Sequence, residues 1–143
     1  MRSITMAALI GLLGALAIGS TALAHHAFTA EFDGNKPVAF TGIVTKIDWV
    51  NPHSWLYIDV KGSDGKVTNW ALELGAPNAL FRRGWRMNSI PVGGEVKVTG
   101  FQCKSGKPCA NGRTVTLPDG REFFAGSSGT GAPSDGADPT TKK

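Results

Sequence analysis

Histidine and cysteine, the residues on which many enzyme and metal sites depend, are scarce in this sequence. There are three histidines and two cysteines among 143 residues. No Ser-His-Asp or Cys-His set can be recognised, so nothing indicates a nucleophilic catalyst. The carboxylates Asp48, Asp59 and Glu73 are too dispersed in sequence to indicate a pair for acid–base catalysis. We therefore predict that the protein is not an enzyme.

The two cysteines are separated by a short polar stretch. Cys103 and Cys109 flank K-S-G-K-P, a spacing that matches neither a C-x-x-C redox motif nor a zinc knuckle. In an oxidising compartment such a pair is expected to form a disulfide. Closing so short a loop should stabilise the fold by about 2–2.5 kcal/mol in the chain-entropy model.

A strong excess of one charge is also missing. The chain has 15 Lys and Arg against 11 Asp and Glu, a net charge of +4 with neutral histidines. The basic residues are scattered, apart from Arg82-Arg83 and Lys142-Lys143. Such weak and dispersed charge does not indicate a nucleic-acid surface. We predict no nucleic-acid partner.

The apolar run near the start of the chain is too short to span a membrane comfortably, which takes about 20 residues. Residues 4–18 follow Arg2 and lead into Ala22-Leu23-Ala24, an A-x-A cleavage signal. We predict that residues 1–24 are a signal peptide and that the mature chain begins at His25. It would then lie in the periplasm or be secreted, without stable membrane insertion. An uncleaved membrane anchor is the alternative.

The end of the chain has little to bury. Residues 126–143 are mostly Gly, Ser, Pro, Asp and Thr, a composition typical of a disordered tail. About one hundred residues remain before it, which suits one small domain with a modest core. We predict that this domain covers residues 25–125.

The stretch over residues 41–60 organises the domain. It reads as two strands joined by a tight connection, N-P-H-S, at residues 51–54. The second strand alternates, with one set of side chains on each face, which is typical of a half-buried strand. The two faces are Leu56, Ile58 and Val60 on one side and Trp55, Tyr57 and Asp59 on the other.

The rest of the chain predicts an all-β fold with one short helix. Turn signals divide it into a leading strand at 28–32, main strands at 38–50, 54–60, 67–74, 95–101 and 113–117, and a short last strand at 122–124. A bulge is expected at Gly42 because the apolar phase changes there. Pro77 and Gly84 bound a helix over 77–83. This order predicts a small OB-fold-like five-stranded barrel with an extra N-terminal strand; an open β-sandwich is the alternative.

In such a barrel, the connections 51–54 and 102–112 fall at the same end. OB-folds bind ligands beside these loops and across strands two and three. Asn51, His53 and the disulfide loop would then border one site, with Trp55 and Tyr57 facing outward as a stacking platform. The alternative is that the leading strand or the tail partly covers these two aromatic rings.

The histidines point to a metal site, since His25 and His26 would open the mature chain. An N-terminal histidine offers one metal ion its α-amino nitrogen and its ring Nδ1. A free α-amine has a pKa of about 7.7–8.0, low enough for a metal to displace its proton. A second imidazole, from His53 or His26, would complete three nitrogens in a T shape, which suits copper(II) better than zinc(II).

Geometry counts against a site shared with His53. If residues 28–32 paired with the first main strand in a tight hairpin, His25 would lie opposite about Thr45. His53 would lie several rungs away at about 3.3 Å per residue. The alternative is that His25 and His26 form a frayed polar terminus and that His53 is a turn residue.

Five segments together resemble a known family. They are A-H-H-A-F at 24–28, E-F-D at 31–33, T-G-I-V-T-K-I-D-W-V-N-P-H-S-W-L-Y at 41–57, R-R-G-W at 82–85 and L-P-D-G-R at 117–121. The chain resembles a family of small exported proteins of Gram-negative bacteria that is known only as a domain of unknown function. The resemblance implies an exported β-rich domain cleaved just before His25, and it implies no activity. The cysteine pair and the tail are not part of the pattern.

Three functions are compatible with these residues. The first is a periplasmic protein that binds a metal ion, copper above all, through His25. The second is a non-catalytic OB-type module that binds a peptide, glycan or protein partner across Trp55 and Tyr57. The third is a copper oxidase using the N-terminal histidine, as polysaccharide monooxygenases do, although the chain lacks an obvious substrate surface. The sequence does not determine the oligomeric state.

Overall fold

The computed structural model describes residues 28–126, which form a closed ring of five strands with a sixth strand beside it. The elements are β1 (Phe32–Asp48), β2 (Trp55–Lys61), β3 (Val67–Glu73), α1 (Pro77–Arg82), β4 (Glu95–Cys103), β5 (Cys109–Thr116) and β6 (Glu122–Phe124). The strand order is β3-β2-β1-β4-β5-β6, and pairing of β3 with β5 closes the ring. No helix within these residues is long and apolar enough to cross a membrane. The predicted β fold with a five-strand ring and a short helix is confirmed.

Strand β2 has the predicted alternation. Leu56 and Ile58 are fully buried in the core, whereas Trp55 and Tyr57 point to the outer face and are half-buried. The start of the strand is fixed by Ser54, whose backbone N–H donates to the Gly75 carbonyl at 3.1 Å. The β1–β2 connection is thereby tied to the end of β3.

The bulge in β1 lies at Thr45, so the prediction of a bulge at Gly42 is wrong. The register with β2 shifts between Val44 and Lys46. Gly42 and Val44 are both buried and Ile43 is 43% exposed, so the inward phase continues through Gly42. Because glycine has no side chain, the sequence does not show that Gly42 is an inward position. The apolar alternation along β1 therefore resembles a change of phase at this residue. A Cβ at Gly42 would lie 2.7 Å from the Asp59 carbonyl oxygen.

The leading strand is the second correction. Residues 28–31 are helical, and β1 begins at Phe32. Phe28 and Phe32 contact each other with ring centroids 5.5 Å apart. Residues four apart lie on the same face both in a strand and in a helical turn. The spacing of Phe28 and Phe32 therefore does not distinguish a strand from a helix. The extra strand is therefore at the C-terminal end, where β6 pairs with β5.

Residues 33–37, which separate the strands predicted at 28–32 and 38–50, form an irregularity within β1. Phe32 pairs with Cys103 and Pro37 pairs with Phe101, so the residues between them loop out of the ladder. The Asp33 Oδ1 atom accepts the backbone N–H of Asn35 at 3.0 Å, which is the local turn chemistry that the sequence indicated.

The short helix α1 fills the space between β3 and β4, as predicted. It begins at Pro77, and Gly84 follows its end with a φ of +93°. Leu80 is fully buried, and so is Trp85, whose indole N–H donates to the Phe124 carbonyl at 2.9 Å. Trp85 lies edge-on against Trp49, with ring centroids 6.0 Å apart. This helix and the following tryptophan therefore complete the core and fasten β6 to it.

The loop between β4 and β5 is shorter than the predicted 102–112. Strand β4 continues to Cys103 and β5 starts at Cys109, and these two residues form the predicted disulfide with a Cα–Cα distance of 5.5 Å. The first residues of β5 become a strand because they pair in parallel with residues 71–73 of β3. That long-range pairing cannot be read from local sequence.

Two expectations fall largely outside the described residues. The predicted signal peptide and His25 and His26 precede residue 28. The predicted tail begins at Gly126, which is itself buried and accepts a hydrogen bond from Arg83 Nη1 at 2.6 Å. The remainder of the tail follows residue 126.

Candidate functional site

His53 and Glu73 form the one histidine–carboxylate contact among residues 28–126. The Nδ1 atom of His53 lies 2.8 Å from the Oε1 atom of Glu73, and their side chains are 35% and 9% exposed. His53 belongs to the β1–β2 connection, and Glu73 is the last residue of β3. Behind them, the Leu74 N–H donates to the Ser54 carbonyl at 2.8 Å. The backbone therefore holds both side chains in place.

The surroundings of Glu73 disfavour its charge. Burial raises the pKa of the Glu73 carboxyl above its usual value, the charge of His53 lowers this pKa, and the nearby negative charge of Glu31 raises it. The net direction is upward. The effect of Glu31 means that the segment before β1 lies within electrostatic range of the His53–Glu73 pair.

Glu73 belongs to a row of side chains that crosses four strands and that we call the outer row: Trp55, Glu73, Asn111 and Phe101. Trp55 of β2 is directly opposite Glu73, Glu73 is opposite Asn111 of β5, and Asn111 is opposite Phe101 of β4. Directly opposed residues in a sheet point to the same face. The row therefore continues from the histidine pair to the aromatic ring of Phe101.

The leading segment, residues 28–31, covers the far end of the outer row. Phe28 is 3% exposed and lies edge-on against the Phe101 ring at 5.7 Å. The backbone N–H of Lys104 donates to the Glu31 carbonyl at 2.9 Å, and the Lys104 ammonium donates to the Thr29 carbonyl. The segment is therefore fixed to both the strands and the disulfide loop.

The two loops predicted to border one site lie on either side of Glu73. The Ala71 N–H donates to the Pro108 carbonyl of the disulfide loop at 3.0 Å, whereas the 51–54 connection is bonded to Gly75. Four residues of a strand span about 13 Å. Glu73 is between these two contacts, so the disulfide loop, the outer row and His53 are neighbours.

The predicted ligand-binding residues are grouped only in part. Trp55 lies in the outer row beside Glu73, and Asn51 is exposed in the connection that carries His53. Tyr57 is two residues further along β2, on the same face as Trp55, and the Lys46 ammonium lies 5.4 Å from its ring centroid. Trp55 and Tyr57 are both half-buried, so neither is a fully open platform. Ligand binding by these residues stays a prediction.

A separate cavity of about 310 Å³ lies beside Phe101. It is bordered by β1, β4 and β5, through Pro37, Val38, Ala39, Thr99, Gly100, Phe101 and Arg113. None of the predicted ligand-binding residues lines it. Phe101 alone joins it to the outer row.

Metal coordination by the ring alone is not supported. Within residues 28–126 there is no group of three or more His, Cys, Asp or Glu side chains that could hold a metal ion. His53 and Glu73 are two such residues, and His25 and His26 lie outside the described residues. A metal site that includes His53 would therefore need donors from outside residues 28–126.

Sequence reasoning missed Glu73 as a site residue. In the sequence, Glu73 is distant from Asp48 and Asp59, so it does not indicate a catalytic pair. The sequence does contain a signal for this residue. Glu73 is on the outward-facing phase at the end of β3, and antiparallel pairing of β2 with β3 places the end of β3 beside the start of β2. The neighbour of such a residue is the β1–β2 connection, which carries the histidine.

Comparison with known families agrees with the resemblance described above. The profile of a family of unknown function, DUF6152, matches residues 14–112. The chain belongs to this family. The match includes β1 to β4, His53, Glu73 and both cysteines, so the family region contains most of the candidate site. No curated protein and no solved structure is significantly similar to the chain.

Proposed function

We propose that this chain is an exported, periplasmic protein that binds a metal ion, copper above all, through His25 at its mature N-terminus together with His53. The proposal requires that residues 1–24 are a signal peptide removed before His25. The protein would hold or buffer the ion rather than catalyse a reaction.

The observation that carries the proposal is the contact between His53 Nδ1 and Glu73 Oε1 at 2.8 Å. Histidines that ligate metals commonly donate their other ring N–H to a carboxylate, which fixes the tautomer and makes the ligating nitrogen more basic. With Nδ1–H donated to Glu73, the lone pair on Nε2 is available to a metal.

The leading segment does not form the hairpin with β1 that would have kept His25 away from His53. Residues 28–31 are not paired with β1, and Phe28 lies on Phe101. Phe101 is two strand positions from Glu73, about 10 Å at the usual strand spacing. His25 is three residues before Phe28, and three extended residues span about 10–11 Å. Three residues before Phe28 can therefore span the distance from Phe101 to Glu73, the hydrogen-bond partner of His53.

The donor set fits copper(II). His25 supplies an α-amine and a ring Nδ1, and His53 supplies Nε2, with His26 as the alternative source of the third nitrogen. Nitrogen ligands in a tetragonal arrangement suit copper(II), which is also the tightest binder in the divalent series. The neighbouring Glu31 and Glu73 carboxylates would partly balance the charge of the ion.

The test is a titration of the processed protein with copper(II), followed by visible and EPR spectroscopy. A matched version carries one extra alanine before His25, which moves the α-amine away from the ring nitrogen. We expect tight one-to-one binding with a nitrogen-rich tetragonal spectrum that is lost in the extended version and weakened by His53→Ala. Equal, weak binding by both versions would refute the metal proposal.

A binding module is the second candidate, and the place of Trp55 in the outer row favours it. A half-buried tryptophan beside an exposed connection is a common element of peptide and glycan sites. On this proposal Trp55→Ala or Tyr57→Ala abolishes binding of a peptide, glycan or protein partner, and the extra alanine before His25 has no effect. The copper proposal predicts the opposite pattern.

A further inference from the structure

The side-chain amide of Asn111 is buried in the middle of the outer row. Asn111 is 2% exposed, and no donor among residues 28–126 is bonded to its Oδ1 atom. It belongs to β5 and lies between Glu73 and Phe101 in the row. A buried acceptor that is left unpaired costs free energy, and in folded proteins such a group is usually completed by water, an ion or a ligand. Asn111 therefore marks a position at which a donor is required.

Glu73 places a carboxylate next to this amide. The two residues are direct partners in the parallel pairing of β3 with β5, and neighbouring strands are about 4.8 Å apart. The Oε1 atom of Glu73 lies 2.8 Å from His53 Nδ1, and the other carboxylate oxygen, Oε2, has lone pairs for a further donor. Burial raises the pKa of Glu73 and so does the negative charge of Glu31, whereas the charge of His53 lowers it. A positive charge beside Glu73 would stabilise its ionised form.

Two adjacent oxygen acceptors of this kind favour an organic cation over a metal ion. Calcium takes about six to eight oxygen ligands, and residues 28–126 contain no group of three or more metal-binding side chains. A guanidinium group binds best to both oxygens of one carboxylate, but Oε1 of Glu73 already faces His53. A primary ammonium group has three N–H donors around one small charge, so it can bond to two separate acceptors.

The ring of Trp55 borders the same position from the other side. Trp55 of β2 is directly opposite Glu73, on the same face of the sheet, and it is half-buried. Tryptophan is the aromatic side chain whose face attracts a cation most strongly. The Phe101 ring, at the far end of the row, already has the Arg113 guanidinium 5.9 Å from its centroid. The place for a further cation is therefore over Glu73, between Trp55 and Asn111.

We propose that the outer row binds the primary ammonium group of an unbranched alkylamine, through hydrogen bonds to Glu73 Oε2 and Asn111 Oδ1 and through the face of Trp55. The inference rests on the second candidate function, the binding module, and specifies its ligand. It does not depend on copper, because the residues that it uses all lie within residues 28–126. His53 and Trp55 are the more exposed members of the group, so the ligand enters past these two rings.

The test is an NMR titration of the processed protein with butylammonium chloride, in the presence of EDTA. The side-chain amide of Asn111 and the indole N–H of Trp55 report the site directly, and we expect saturable shifts at both. Butyltrimethylammonium has the same charge without N–H donors, and it should bind about tenfold more weakly. Equal binding of the two ions, or shifts that do not saturate with butylammonium, would overturn the inference.

A second titration identifies the source of the ammonium group. Lysine with its α-amine acetylated and its carboxyl group methylamidated carries the same alkylammonium chain within a peptide-like backbone. Tighter binding of this compound than of butylammonium would support a peptide ligand, and weaker binding would support a free amine. Butylguanidinium is the control for the shape of the cation. If it binds more tightly than both amines, the assignment of a primary ammonium group is overturned.

Asn111→Leu tests the unpaired acceptor. We expect the affinity for butylammonium to fall about tenfold, and the melting temperature of the ligand-free protein to equal or exceed that of wild type, because an apolar side chain removes the unpaired group. Asn69→Leu is the matched control, since the Asn69 amide is already bonded to Thr45 and Asp59 on the same face. It should leave the affinity unchanged. A lower melting temperature with unchanged affinity in Asn111→Leu would show that Asn111 holds an internal water, and it would overturn the inference.

Glu73→Gln and Trp55→Leu test the other two contacts. The first should lower the affinity for butylammonium about tenfold because the charge is lost, and the second about threefold because the aromatic face is lost. Wild-type affinity in Glu73→Gln would overturn the inference. Because the titrations contain EDTA, they separate the two proposals. Copper binding without butylammonium binding overturns this inference alone, whereas butylammonium binding in a protein that does not bind copper supports it.

Discussion

The Nδ1 atom of His53 lies 2.8 Å from the Oε1 atom of Glu73, so a residue of a turn and the last residue of another strand share a hydrogen bond. The carboxylate is nearly buried, and the imidazole is about one-third exposed. This orientation leaves Nε2 as the ring atom with which His53 can meet a metal or a ligand. The candidate site is therefore a histidine at the border of the ring whose imidazole is oriented by a hydrogen bond to Glu73.

Replacing Glu73 with glutamine should weaken copper binding by about 10–100-fold, the range found when a partner of a metal-bound histidine is lost. The amide can still form a hydrogen bond, but it carries no charge to make the ring more basic. Because burial raises the pKa of Glu73, its ionised form is unfavourable there, and the metal-free variant should not melt earlier at neutral pH. Asp59→Asn, on the outer face of the same sheet, is the control. Unchanged affinity in Glu73→Gln would show that the pair is structural only.

Replacing Trp85 with alanine should destabilise the fold by about 3–5 kcal/mol, as expected for a large core side chain. Trp85 is fully buried, and its indole N–H is the donor to the Phe124 carbonyl, so the substitution leaves both a cavity and an unpaired acceptor. Urea denaturation measures the loss. Met87→Ala is the matched control, because Met87 is 63% exposed and a surface change is usually within about 0.5 kcal/mol. A loss below that level in Trp85→Ala would contradict the described core.

Replacing Gly42 with alanine should destabilise the protein by about 1–3 kcal/mol, the usual cost of overpacking. The added Cβ would lie 2.7 Å from the backbone oxygen of Asp59, and backbone cannot rotate away as a side chain can. Thr41→Ala, at an exposed position of the same strand, is the comparison. Thermal unfolding of the two variants measures the difference. If Gly42→Ala is as stable as Thr41→Ala, the two strands are not as close there as described.

Asp119 should make stability depend on pH at the acidic end of the range. Hydrogen bonds from the backbone and then the side chain of Arg121 hold the pKa of the Asp119 carboxyl below its usual value of 3.8. A carboxylate with a lowered pKa stabilises the folded state above its unfolded value, and this contribution disappears as the pH falls through the lower folded value. Wild type should therefore melt above Asp119→Asn at pH 6, and the difference should shrink as the pH falls below 3.8, the usual pKa of this carboxyl. A gap that is constant with pH would contradict this.

Local sequence was enough for the elements whose signals lie within a few residues. The alternation at Trp55 to Ile58 predicted β2 and its two faces, and Pro77 and Gly84 predicted the helix. The spacing of Cys103 and Cys109 predicted the disulfide. Local sequence was insufficient where two structures share one pattern: Phe28 and Phe32 fit a strand and a helical turn, and Gly42 has no side chain to mark its face.

The candidate site was decided by tertiary structure. The sequence alone indicated that His53 is in a tight connection and that the chain is a small β domain. It did not determine that Glu73 would contact His53, because that contact depends on pairing of β2 with β3. It also did not determine that Glu73 would lie beside Asn111, because that depends on parallel pairing of β3 with β5. Side-chain alternation and turn chemistry act between near neighbours in the chain, whereas strand pairing joins distant residues and depends on the burial of the whole core.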